Sequence, residues 1–261
     1  MVKDLNPYFS MNKLRLRIAR MIASGGEGHI PSSFSIVDLI YSVYAFGLRD
    51  RTHFKDRFVL SKGHGAAALY VVLAEFEVIP WALIDNYGKP GSVLGGHPDR
   101  SKIPGVEANT GSLGHGLPFA VGVALANKIK NLDERIFCLV GDGECQEGTI
   151  WESANIATNQ HLGRLVAIVD WNGSAAQLQP IENLKAKWTA FGWDVLECNG
   201  NSLESIKSAI GGLDFDSTSP KVILAKTTKG FGVSFLQGHG EWHHKIPNEE
   251  QMQLLERELS I

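Results

Sequence analysis

Apolar positions between residues 11 and 24 recur at helical spacing, with Leu14, Ile18, Met21 and Ile22 on one face. Residues 35–47 (SIVDLIYSVYAFG) read as a second helix, with Ser35 placed to cap its start. RFVLS at 57–61 is a short apolar run of strand type, and residues 64–78 return to a helical pattern. From about 85 to 114 the chain is irregular and rich in glycine and proline. A stretch that long inside a compact domain is usually functional or disordered. A regular alternation follows: helix 116–130, strand 135–140, helix 149–160, strand 164–170, helix 182–191, strand 193–197, helix 202–213, strand 221–226, and a last helix over about 248–258. Strands that are continuous apolar runs separated by helices predict an α/β fold, a parallel sheet flanked by helices on both faces. No repeat, low-complexity segment or linker interrupts the pattern, so it reads as one domain. In such sheets ligands sit at the carboxyl ends of the strands, so the residues after each strand are where chemistry is expected.

Composition narrows the classes. The chain has 261 residues, 44% of them hydrophobic, enough for a substantial core. A formal net charge of -3 gives no basic surplus for a phosphate backbone, which argues against nucleic acid. The three cysteines, Cys138, Cys145 and Cys198, form neither a metal spacing nor a disulfide framework, and a reducing cytoplasm is the expected location. No signal peptide is read at the N-terminus and no apolar run of membrane-spanning length is expected.

Strand 135–140 runs into Gly141-Asp142-Gly143, and strand 164–170 runs into Trp171-Asn172-Gly173. Asp142 and Asn172 thus fall at matching ends of two strands expected to be neighbours. Gly141 and Gly143 let backbone amides approach a phosphate without an intervening side chain. A carboxylate, an amide oxygen and a nearby backbone carbonyl are hard oxygen ligands, suited to Mg²⁺ or Ca²⁺ bridging a diphosphate. The alternative is two ordinary turns, because Gly, Asp and Asn are common after strands. The second oxygen ligand on the next strand favours the metal reading.

Gly-Asp-Gly followed after an apolar strand by Asn is the thiamine diphosphate signature, and GDGECQEGTIWESANIATNQHLGRLVAIVDWN resembles the transketolases in particular. The resemblance implies the diphosphate-binding (PP-domain) fold and thiamine diphosphate as cofactor. It assigns Asp142, Asn172 and the backbone carbonyl of Ser174 to the metal, and the Gly143 amide to the diphosphate. Glu147 and Glu152 match two family glutamates at a dimer interface that link the active sites. The bland reading of that pair is a solvated helix start, where acids also suit the dipole. GSAAQLQP at 173–180 departs from the Asp-Gly segment that usually follows in the family.

Four histidines lie in contexts that resemble family motifs: His29 in GEGHIPSS, His64 in FVLSKGHGAAALY, His97 in LGGHPD and His243 in GEWHHKIP. By resemblance, His64 and His243 hydrogen-bond the diphosphate, while His29 and His97 face the sugar hydroxyls and the donor carbonyl. His243 also reaches the substrate side. Histidine suits proton traffic there because its ordinary pKa is near neutrality. His53, His115, His161 and His239 read as structural. His244 stands where the family carries glycine, so it either narrows the substrate channel or points to solvent. ANTGSLGHG (108–116) resembles a family loop in which Gly111 offers its carbonyl to the cofactor's amino group and Leu113 packs near the aminopyrimidine; Ser112 and His115 replace a proline and a glutamine.

The resemblance covers about residues 10–250 and stops where a full transketolase continues into pyrimidine-binding and C-terminal domains. It implies a separate C-terminal partner subunit, an α2β2 assembly, sugar or sugar phosphate substrates, and ketol transfer only in the pair. A transketolase specialised for an unusual sugar is the first alternative. The alpha-type subunit of a 2-oxo-acid dehydrogenase shares the Gly-Asp-Gly/Asn pair but not the contexts of His64 and His97. Deoxyxylulose phosphate synthase lacks the His29 and His97 contexts. A non-catalytic cofactor-binding paralogue would be expected to have lost metal ligands.

Overall fold

The computed structural model describes residues 7–49, 55–176, 179–180, 182–238 and 240–259. His53 and His239 lie outside the described residues. Five strands, β1 (Arg57–Leu60), β2 (Ile136–Gly141), β3 (Leu165–Trp171), β4 (Asp194–Asn199) and β5 (Lys221–Lys226), form one sheet in the order β1-β2-β3-β5-β4. Every pairing is parallel, as the uninterrupted apolar runs predict. Alternation along the strands feeds two cores. Phe58, Phe137, Leu139 and Ile168 face α1 (Pro7–Gly25), α2 (Ile30–Ser42), α3 (Ala66–Glu75) and α8 (Leu203–Gly211). Val59, Cys138, Val140 and Ala167 face α5 (Gly116–Ile129), α6 (Gly148–Asn159) and α7 (Leu184–Ala190). A short α4 (Trp81–Asp85), not predicted by the sequence pattern, precedes the long irregular stretch, and α9 (Glu249–Leu259) closes onto α1.

The second helix begins earlier than the sequence suggests. His29 occupies its N-cap and Pro31 its first turn, where a missing N–H costs nothing. Ser35 is therefore not a cap; its hydroxyl is buried within the helix, within hydrogen-bond distance of the Ser32 carbonyl and of the site described below. The helix ends in a π-helical turn, Val43–Gly47. Ile30–Gly47 has the length and apolarity of a membrane span, contrary to the expectation from the sequence, yet 83% of it is buried inside this fold, where it works as a core helix. The helical pattern at 64–78 splits into a 3-10 turn, Gly63–Gly65, and α3.

β2 and β3 are neighbours, with Gly141 opposite Asp170. β5 inserts beside β3, with Lys226 opposite Trp171. The segments after β1, β2, β3 and β5 consequently open at the same end of the sheet, and everything that follows happens there. Trp188 anchors the far layer: it is fully buried and packs edge-on against Trp193 at 4.8 Å. We expect Trp188→Ala to cost about 3–5 kcal/mol, read as a lower urea midpoint at unchanged slope.

Candidate active site

Asp170, the penultimate residue of β3, is fully buried and gathers four segments. It accepts hydrogen bonds from the Ser35 hydroxyl of α2 (2.9 Å) and the Asn172 amide just beyond its own strand (2.9 Å). The Lys62 ammonium, two residues past β1, and the Thr227 hydroxyl, just past β5, bond to it as well. Because Asp170 takes the Asn172 amide nitrogen, the amide oxygen is turned away and accepts from the Ser174 N–H (2.9 Å).

Asp142 is tied to the same turn. Its carboxylate accepts from the Gly143 N–H (2.7 Å) and the Gly173 N–H (2.6 Å), so the two strand ends are stitched together. Burial raises the Asp142 pKa, and the neighbouring Asp170 charge raises it further. A carboxylate in that position is relieved by a cation. The Ser174 hydroxyl, also in this turn, is buried without a hydrogen-bond partner. Asp142, Asn172 and Ser174 together form an oxygen-rich corner that fits a hard divalent ion.

These residues line a cavity of about 440 Å³, whose wall also holds His64, Leu113, Gly143, His243 and Lys229. Lys229 is buried, and desolvation together with the charge of Lys62 lowers its pKa. Two ammonium groups in the same cavity as the acidic corner, Lys62 paired with Asp170 and Lys229 close by, suit an anion such as a diphosphate bound together with a metal.

The floor is held by Glu144, which is buried and accepts from the Ser61 hydroxyl, the Gly114 N–H (2.8 Å) and the Gly141 N–H (3.0 Å). Ser61 in turn accepts from the Gly116 N–H (3.0 Å). The loop carrying Gly111 and Leu113 is thus clamped to the ends of β1 and β2. Gly111 itself is exposed, with a φ of 134°, and stands outside the cavity wall. Glu147 and Glu152 are exposed at the start of α6.

The histidines cluster beside the cavity. The ring centroids of His29 and His64 are 4.7 Å apart, those of His29 and His243 5.0 Å, and those of His64 and His243 5.4 Å. The carbonyl of His243 lies 2.7 Å from His29 Nδ1, which therefore carries the proton and leaves Nε2 as the acceptor. Burial lowers the His29 pKa to about 4 and the His64 pKa to about 3. Burial also lowers the His243 pKa, with Lys229 adding to the effect. His97 comes in from the irregular loop, its Nδ1 2.8 Å from the Thr110 hydroxyl. Gly63 makes that approach feasible: a Cβ there would lie 2.4 Å from Thr110 Oγ1 and 2.6 Å from His97 Nδ1. His115 and His161 stand apart from the cluster, His115 on Ser112 (3.1 Å) and His161 in a left-handed turn with a φ of 52°.

Sequence reasoning missed Ser35, Ser61, Lys62, Glu144, Asp170 and Lys229 as site residues. Their signal was position: Ser61, Lys62, Asp170 and Lys229 lie within a few residues of a strand's carboxyl end. Lys62 sits inside the LSKGH segment read only for its histidine, and Asp170 two residues before the asparagine read as a ligand.

The family described as "Transketolase, thiamine diphosphate binding domain" matches residues 9–261. The chain belongs to the transketolase family. This transketolase-family chain is 39% identical over 258 residues to an apulose-4-phosphate transketolase subunit of Phocaeicola vulgatus, a match covering 95% of this chain and 92% of that one. It is 36% identical over 258 residues to a 6-deoxy-6-sulfo-D-fructose transketolase subunit of a Clostridium species, covering 95% of this chain and 94% of that one. The transketolase of Pichia stipitis solved with sedoheptulose 7-phosphate superposes with a TM-score of 0.88 at 26% identity, over 97% of this chain and 40% of that one. The chain thus matches the named subunits in length and spans about two fifths of that solved transketolase. Its fold is the thiamine diphosphate PP-domain fold of these structures.

Two outcomes follow from the geometry. Removing Asp170 strands the Lys62 charge in a buried setting, so Asp170→Ala is expected to lose about 3–5 kcal/mol. In a double-mutant cycle with Lys62→Met, the paired loss should be well below the sum of the single losses; additive losses would dissolve the hub. The second outcome concerns pH. His29 and His64 are held neutral in the fold and titrate near 6.5 when unfolded, so their contribution is complete above about 6.5 and is lost as pH falls toward about 4. Thermal melts between these values should show a steeper acid decline in the parent chain than in a His29→Asn, His64→Asn variant.

Proposed function

We propose that this chain is the diphosphate-binding half of a two-component transketolase, active in ketol transfer only with a separate C-terminal subunit. The observation that carries the reading is the union, in one cavity, of the Asp142–Asn172–Ser174 oxygen corner with Lys62, Lys229, His64 and His243. Bound thiamine diphosphate supplies the electron sink for breaking the ketose carbon–carbon bond. Asp142, Asn172 and the Ser174 carbonyl hold Mg²⁺, or Ca²⁺ in its place. Lys62 and Lys229 neutralise the diphosphate, and His64 and His243 donate to it. The Gly143 amide is given to Asp142 here, so its part is to fix the metal ligand. His29 presents Nε2 to a ketose hydroxyl and takes or returns its proton. His97, steadied by Thr110, faces the same substrate. Glu147 and Glu152 lie on the exposed face toward the second subunit, in an α2β2 assembly that completes two sites.

Relatives of about the same length that are named as transketolase subunits support the split. Those relatives are named for apulose 4-phosphate, and another for 6-deoxy-6-sulfo-D-fructose, which supports the second reading, a donor or acceptor outside the common sugar phosphates. The free, buried cysteines are compatible with the cytoplasm.

The test mixes this chain with a co-encoded protein bearing the pyrimidine-binding domain, thiamine diphosphate and Mg²⁺, and supplies xylulose 5-phosphate and ribose 5-phosphate. Sedoheptulose 7-phosphate formed only with both chains supports ordinary specificity. Turnover with a modified ketose alone supports the second reading. Asp142→Ala should abolish Mg²⁺-dependent cofactor binding by the pair; undiminished binding would overturn the metal assignment.

A further inference from the structure

His244 has no part in the reading above, yet it makes the tightest ring contact that His29 has. Its centroid lies 4.2 Å from that of His29, edge to face at 61°, closer than either His64 or His243. His244 is itself exposed, whereas His29 is only 8% exposed. The two residues of one dipeptide therefore grip the same ring: the His243 carbonyl accepts a hydrogen bond from its Nδ1–H and the His244 imidazole covers its flank. The dipeptide is anchored from the preceding residue, because Trp242 packs on Phe235 at 5.1 Å and carries the Lys245 ammonium over its face at 4.6 Å.

We propose that His244 is a positioning residue for His29, forming the outer wall that screens the His29 ring from water and fixes the direction of Nε2. The proposal rests on the reading of this site as a ketose site only for its catalytic consequence; the wall itself is a property of the chain. A ring screened in this way stays neutral and keeps its lone pair available at pH values where an exposed imidazole would be half protonated. The groups that face His29 are His64 from the turn after β1, His97 from the irregular loop, and His243 and His244 from the strap of chain between β5 and α9. Lys62 lies behind His64 and Lys229 behind His243. Desolvation is the largest cause of the low His29 pKa, and the strap supplies part of that cover.

The test is a histidine-labelled NMR titration of the full chain, with the His29 resonance assigned by its loss in His29→Asn. In the parent chain His29 should remain neutral to about pH 4. In His244→Ala it should titrate closer to the ordinary value of about 6.5. In His244→Phe, which keeps the cover and removes the charge, it should stay low. An unchanged His29 titration in His244→Ala overturns the proposal, and so does a Phe variant that behaves like Ala, because the effect would then be charge repulsion and not a wall. With the partner subunit present, His244→Ala should move the acid limb of kcat/KM for the ketose upward, with His244→Phe restoring it. The NMR shift without any ketol transfer by the parent pair would spare the wall and sink the transketolase reading.

Discussion

The buried carboxylate of Asp170 is the constraint on which the site depends. Four segments that meet at one edge of the sheet would otherwise be independent: the turn after β1, the second turn of α2, the turn after β3 and the turn after β5. Each sends a donor to Asp170, and Lys62 supplies the charge that lets a carboxylate sit there at all. The consequence reaches Asp142 and Asn172. Asn172 has its amide oriented by Asp170, and Asp142 is joined to the following turn through the Gly173 N–H, so the two side chains cannot drift apart. A site that must bind a highly charged ligand without rearranging needs that kind of pre-paid order.

The second principle is asymmetry of charge and water. Asp142 and Asp170 crowd negative charge at the strand ends, Lys62 is paired with Asp170 among them and Lys229 lies close by, and beyond them burial holds His29 and His64 neutral. Glu144 holds the loop of Leu113 against them, which makes the cavity a continuous surface assembled from distant parts of the chain.

Much of this was legible in the sequence, and the rest was hidden for physical reasons. The parallel sheet followed from strands that are apolar throughout, and the pairing of Asp142 with Asn172 followed from their equal places after two such strands. The start of α2 was misplaced because Ser35 looks like a cap, whereas Pro31 in the first turn and His29 before it define the boundary. Asp170 and Glu144 were passed over because a buried carboxylate reveals itself only through its partners, which for Asp170 come from residues as remote as Ser35, Lys62 and Thr227. Lys229 lies just past the last strand, but its place in this cavity depends on β5 inserting beside β3, and strand order is not written in local periodicity.

The account stands on the claim that the turns after β2 and β3 form the metal end of a diphosphate site. The most direct measurement is a crystal structure of the chain with its partner subunit, thiamine diphosphate and Mn²⁺ in place of Mg²⁺, read by anomalous scattering. The account predicts one strong peak per site bounded by Asp142, Asn172 and the Ser174 carbonyl, with the diphosphate between it and the Lys62 and Lys229 ammonium groups. A bound diphosphate whose metal peak lies away from Asp142 and Asn172 would contradict it.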